Sequence, residues 1–91
     1  MKIYDKASII KVNLYYMDVE NYYTDAKYKY FEAIQYKSDD HLSHFNLAIV
    51  LTSLGDYKNA RIHLNKVIEI NPDYEVTYIQ LKELTIITEL V

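Results

Sequence analysis

Residues 46–72 read NLAIVLTSLGDYKNARIHLNKVIEINP. Two breaks punctuate this stretch. Gly55-Asp56 is placed to end one helix in a left-handed turn. Asn71-Pro72 ends a second, because proline cannot continue a helix and the polar residues around it suit the start of the next. Between the breaks, Tyr57, Ala60, Leu64, Val67 and Ile68 recur at steps of three, four, three and one, the spacing of a single helix face. Upstream, Phe45, Leu47, Ala48, Leu51 and Leu54 follow Asp40, a candidate N-cap, and predict a helix of roughly 14 residues. Downstream, Tyr78, Leu81, Leu84 and Thr85 share a face in a segment, 73–91, that has no internal breaker. A further helix is expected there, capped by Asn71 or Asp73.

The same face occurs once more, 34 residues earlier. Tyr57 falls on Tyr23, Ala60 on Ala26, Leu64 on Tyr30, Val67 on Ala33 and Ile68 on Ile34, while Gly55 falls on Asn21, the other residue that tolerates a left-handed backbone. Displaced forwards, His44, Leu47 and Leu51 fall on Tyr78, Leu81 and Thr85. A fixed period of this size marks a repeat architecture. The expected fold is one all-α domain of five helices in antiparallel helix–turn–helix units. The first pair spans about residues 7–40, the second 41–74, and a capping helix 75–91.

A helical pair of this period resembles the tetratricopeptide repeat family. The second unit carries the resemblance best, in Asn46-Leu47-Ala48, Leu54-Gly55-Asp56-Tyr57, Ala60 and Ile70-Asn71-Pro72. The first unit departs from the pattern: Leu14 stands where a small residue is expected, Asn13 where a leucine is, and Ser38 replaces the proline. In the last helix Lys82 occupies the small-residue position, which suits a helix with nothing stacked beyond it. The resemblance implies that the units stack as a short right-handed superhelix and act as a non-catalytic protein-interaction module in which the first helix of each pair lines a concave surface. On that register the lining positions include Ser8, Lys11, Tyr15 and Asp18, then Leu42, Phe45, Asn46, Ile49 and Ser53, then Val76, Ile79, Gln80 and Glu83. The apolar centre, Tyr15, Phe45, Ile49 and Ile79, suits a peptide with one or two hydrophobic anchors, oriented by Lys11, Asn46 and Gln80. Phe45 and Ile49 equally suit simple packing between helices. One subgroup of the family clamps the acidic tails of heat-shock chaperones. Lys11 and Asn46 match that clamp, but Tyr15 stands for an asparagine and Val76 and Gln80 for its cations, so most of the charge-assisted binding is missing.

Composition narrows the other classes. The 91 residues are 51% hydrophobic and 25% charged, with one Gly, one Pro and no Cys, which describes a single small globular domain without disulfides or thiolate chemistry. A net charge of −3 and a single arginine, Arg61, argue against a phosphate-backbone binder, so no nucleic-acid partner is expected. The longest apolar runs, such as Leu47–Leu51, fall far short of the about 20 residues that span a membrane, and Met1–Asp5 lacks a signal-peptide core. No membrane insertion is expected, and the expected compartment is the cytoplasm.

The candidate chemistry is thin. His41 and His44 lie three apart on one helix beside Asp39 and Asp40, but no third ligand follows at a defined spacing, so no metal is expected. His44 falls at a packing position of the repeat, His41 reads as solvated and His63 as a surface residue. No phosphate loop, nucleophile turn or carboxylate pair appears, so neither catalysis nor a cofactor is expected. Eleven tyrosines, crowded at 15, 16, 22, 23, 28, 30 and 36 in the first unit, read partly as packing residues and otherwise as rings for a stacked ligand. About three units normally make a stable stack, and this chain has fewer. Ile79, Ile86, Ile87, Leu90 and Val91 do not fit on one helix face. Either a few of these are ordinary exposed hydrophobics on a frayed end, or Ile86, Ile87 and Leu90 make a second candidate surface, for homo-oligomerisation or for further repeats.

Overall fold

The computed structural model describes residues 6–90, with side chains from Val19 to Leu90. Four helices follow one another: α1 Lys6–Tyr36, α2 His41–Ser53, α3 Tyr57–Ile70 and α4 Val76–Glu89, and no strand occurs among the described residues. Each helix packs on its neighbours in sequence, α1 on α2, α2 on α3 and α3 on α4.

The α2–α3 hairpin follows from its local chemistry. Asp40 caps α2, accepting from the Leu42 amide at 3.2 Å and the Ser43 hydroxyl at 2.7 Å. The Ser43 bond, with the nearby amides and Lys37, holds the Asp40 carboxyl below its ordinary range. At the other end Gly55 takes φ +82°. The Asp56 amide then donates to the Leu51 carbonyl at 2.8 Å and the Gly55 amide to that of Thr52 at 3.0 Å, closing α2 with a Schellman motif. Asp56 caps α3 in turn, accepting from the Asn59 amide at 3.4 Å and the Asn59 side chain at 2.8 Å.

The core lies between α2 and α3 and is closed by α4. Leu47, Ala48 and Leu51 meet Ala60 and Leu64 there, with Leu84 from α4, all essentially without solvent contact. Tyr30, Phe31, Ile34, Phe45, Tyr57 and Leu81 pack around them half-buried. Ala48 and Ala60 bring no bulk to this contact, so the two backbones approach closely. Each fully buried leucine contributes roughly 1.5–3 kcal/mol.

Two expectations are corrected. Residues 7–40 do not form a helix pair: α1 runs unbroken for 31 residues, so the described residues hold four helices rather than five. The physical reason is that residues 6–36 contain neither Gly nor Pro. Asn21, in the place of Gly55, stays helical, since no described residue other than Gly55 has a positive φ. The last helix begins at Val76 rather than near Asp73, and neither Asn71 nor Asp73 caps it. Glu75 precedes it in helical conformation without a side-chain cap. Tight bonds from Thr77 to the Tyr74 carbonyl and from Tyr78 to that of Glu75 start the helix, both at 3.1 Å.

Candidate protein-interaction face

Packing uses one side of α2. Ser43, His44, Leu47, Ala48, Val50 and Leu51 are buried, which leaves Leu42, Phe45, Asn46, Ile49 and Ser53 along the opposite stripe. Leu42 is exposed, Phe45, Asn46 and Ile49 are half-buried, and Ser53 turns its hydroxyl back to the Ile49 carbonyl at 3.1 Å. On α4 the buried positions are Thr77 and Leu84, and the free side carries Val76, Ile79 and Glu83, with Gln80 half-buried. Leu42 and Ile79 remain 47% and 56% exposed, as large apolar side chains on the first helix of two successive units.

The α3–α4 connection is fastened onto the start of α2. Tyr74 packs edge-on against Phe45, with ring centres 5.2 Å apart, and against His41 at 5.1 Å. Asn71 donates to the His41 Nε2 at 3.3 Å, and the Tyr78 hydroxyl to the Pro72 carbonyl at 2.8 Å. Phe45 is thereby wedged between the core and Tyr74. Sequence reasoning missed Tyr74 because it falls in the inter-helix break, outside any periodic face. Lys11 and Tyr15, with Ser8 and Asp18, carry side chains outside the described residues. The clamp positions on α4, Val76 and Gln80, bear no charge.

His63 is corrected from a surface residue to a packed one. Its ring stacks on His44 at 5.3 Å and meets Phe31 of α1 edge-on at 5.9 Å. His44 Nε2–H donates to the Ser38 carbonyl at 2.9 Å. A neutral imidazole has one N–H, so the His44 Nδ1 accepts, and His63 donates to it from its own Nδ1 at 3.0 Å. Burial, and then the repulsion that two charged rings would meet beside His44, push the His63 imidazole below its ordinary pKa. The register had mapped His63 onto Lys29, an exposed position, and a contact spanning 19 residues leaves no local signal. Among the described residues no three His, Asp or Glu side chains converge as a metal site, and no helix is long and apolar enough to cross a membrane.

At the far end of α4, Ile86 and Leu90 are 49% and 82% exposed and Ile87 is half-buried. Along α1, Tyr22, Asp25, Ala26, Lys29 and Tyr30 line an open cleft of about 310 Å³. Tyr22 and Tyr23 pair edge-on at 5.6 Å, and the Lys27 ammonium lies 5.0 Å from the centre of the Tyr28 ring.

The sequence profile of the tetratricopeptide repeat matches residues 41–74, which contain α2, α3 and the connection that carries Tyr74. No curated protein and no solved structure matches the chain at a significant level.

Proposed function

We propose that this chain, whose residues 41–74 match the tetratricopeptide repeat, binds a peptide segment of a partner protein along the free faces of α2 and α4. Such repeats generally mediate protein–protein interactions and typically have no catalytic role. The observation that carries the reading is the stripe of apolar side chains that core packing leaves free on successive first helices: Leu42, Val76 and Ile79. An isolated exposed leucine needs no explanation, but aligned apolar positions bordered by Asn46, Ser53 and Gln80 have the composition of a peptide groove. Ile79 and Leu42 serve as anchors for apolar side chains of the peptide. Phe45 and Ile49 form the floor, with Phe45 set in place by Tyr74. Asn46 and Gln80 orient the peptide backbone. With Val76 and Gln80 at the clamp positions, the peptide is held by apolar contacts rather than by a terminal carboxylate.

Peptides selected against the chain from a random display library supply the test. Leu42→Ser with Ile79→Ser changes two exposed positions and leaves the core intact. The pair is expected to weaken a selected peptide by about tenfold or more, equivalent to about 1.4 kcal/mol, in titration calorimetry, with helicity unchanged by circular dichroism. Unchanged affinity, or a library that yields no binder, overturns the groove.

A second reading rests on the exposure of Ile86 and Leu90. In it the last helix pairs with a second copy or with a further repeat rather than capping the stack. Ile86→Ser with Leu90→Ser then gives a monomer by light scattering, and an oligomer that persists removes this surface.

A further inference from the structure

We propose that the free face of α4 binds a basic amphipathic helix of a different protein, with apolar residues at alternating three- and four-residue spacing and a lysine or arginine in its central layer. The proposal rests on the α4 half of the binding face described above and names the partner which that half takes.

The first observation is a seam. Val76, Ile79, Glu83, Ile86 and Leu90 follow one another at steps of three, four, three and four. On a helix this spacing keeps all five within about 80° of one another around the axis. It is the a/d spacing of a coiled coil, held over two heptads with Glu83 in the middle. α4 turns its opposite side, at Thr77 and Leu84, into the protein. Val76, Ile79, Ile86 and Leu90 are 41%, 56%, 49% and 82% exposed, and Glu83 is exposed among them. Leu90 belongs to the seam because its backbone stays helical and its amide donates to the Ile86 carbonyl at 3.2 Å.

The second observation separates the seam from the packing side of the repeat. Displaced back by 34 residues, Val76, Ile79 and Glu83 fall on Leu42, Phe45 and Ile49, the stripe opposite the buried side of α2. Leu47, Ala48 and Leu51, which α2 packs on α3, correspond instead to Leu81, Lys82 and Thr85. An antiparallel helix completing the unit of α4 would therefore lie on Leu81, Lys82 and Thr85 and leave the seam open.

Glu83 selects among the remaining occupants. In a helix pair of this spacing the a and d side chains form the dry layers between the axes. A second copy brings no cation to those layers. Parallel, it sets Glu83 on Glu83; antiparallel, it sets each Glu83 on Ile79 or Ile86. Either way a carboxylate enters the contact unpaired, which is costly. A partner with lysine or arginine in that layer pairs the carboxylate and fixes the register, while its other a and d residues cover the apolar positions. The flanking positions 75, 82 and 89 are Glu, Lys and Glu, all exposed, so the border of the seam is also net negative and favours a basic helix.

The test uses two synthetic amphipathic helices of three heptads that differ only in the central a residue, Lys or Glu, each titrated with the full chain by fluorescence anisotropy. The Lys helix is expected to bind at least about tenfold more tightly than the Glu helix. Glu83→Lys should reverse that order, and Ile86→Ser with Leu90→Ser should weaken the Lys helix by about tenfold or more. The unmodified chain is expected to be a monomer by light scattering, and Glu83→Leu, which makes the seam self-complementary, should dimerise. The proposal is overturned if neither helix binds, if the two bind alike, or if Glu83→Lys leaves their order unchanged. A dimer of the unmodified chain that Ile86→Ser with Leu90→Ser dissolves also overturns it, since a second copy then holds the seam. Leu42→Ser, on α2, should leave the affinity for the Lys helix unchanged. A chain that binds a library-selected peptide through Leu42 but neither helix therefore refutes the seam and leaves the groove standing.

Discussion

Acidification from pH 7.5 to 5 should loosen the junction of α1, α2 and α3, because His63, paired with His44, accepts charge poorly. The hydrogen bonds of the pair require both rings neutral or only one charged: His44 Nε2–H serves the Ser38 carbonyl, and the two Nδ1 atoms, 3.0 Å apart, share a single proton. With both rings charged, two N–H groups would face each other across that distance. Burial and His44 already depress the His63 pKa. The folded chain therefore binds fewer protons than the unfolded chain once the pH falls below about 6.5, the ordinary imidazole value, and stability falls with pH from there. One missing proton costs at most about 1.4 kcal/mol per pH unit, so the limit between pH 6.5 and 5 is about 2 kcal/mol. His63 is only half-buried, and solvent screening brings the expected loss to about 1 kcal/mol. Urea unfolding followed by circular dichroism at the two pH values measures this directly, with His63→Gln as the control. Glutamine donates to the same Nδ1 but does not titrate, and the carboxylates, which titrate mostly below pH 5, are common to both proteins. Equal pH dependence in the two proteins, or a gain in stability on acidification, refutes the assignment of the pair.

Two further substitutions test the backbone and the core. Gly55→Ala should destabilise by about 1 kcal/mol in urea: the left-handed backbone costs a Cβ about 1–2 kcal/mol, partly offset by a stiffer unfolded chain, and no steric term enters because nothing lies within 4 Å of the added carbon. Gly55→Asn should cost less, and an alanine variant as stable as the parent would show that the turn does not need the left-handed residue. Thr77 is fully buried with a hydroxyl that has no partner among the described residues, so Thr77→Val should leave stability unchanged or raise it by about 1 kcal/mol. A loss of that size in the thermal midpoint would mean that the hydroxyl has a partner in solution.

The second unit was legible because each of its signals has its own mechanism. Asp40 and Asp56 accept from amides that have no intrahelical partner, Gly55 supplies the left-handed residue of a Schellman turn, and Ala48 and Ala60 permit the close approach of α2 and α3. None of these depends on what lies elsewhere in the chain. Tyr74 and His63 were not legible for the opposite reason. Tyr74 acts from a break between helices, and His63 gains its meaning from His44 and Phe31 on two other helices. On the candidate face, the exposed stripe on α2 followed from the period once the buried side was known. That Phe45 is held by Tyr74 required the path of the α3–α4 connection.

The first unit separates two signals that coincide in the second. A repeat register states which side chains can pack against a neighbour, and a break states where the chain can turn to supply that neighbour. Residues 41–74 have both, and the hairpin closes on itself. Residues 7–36 have the register, in Tyr23, Ala26, Tyr30, Ala33 and Ile34, but Asn21 in place of glycine costs only a few tenths of a kcal/mol more than a good helix former and is too weak a stop to end a helix. The result is a rod whose packing face is present and whose partner is displaced along its own axis. A face that its own chain cannot cover stays wet or is covered from outside. Restoring a glycine at position 21 supplies the break without touching the register, and so tests whether the missing turn alone opens this unit.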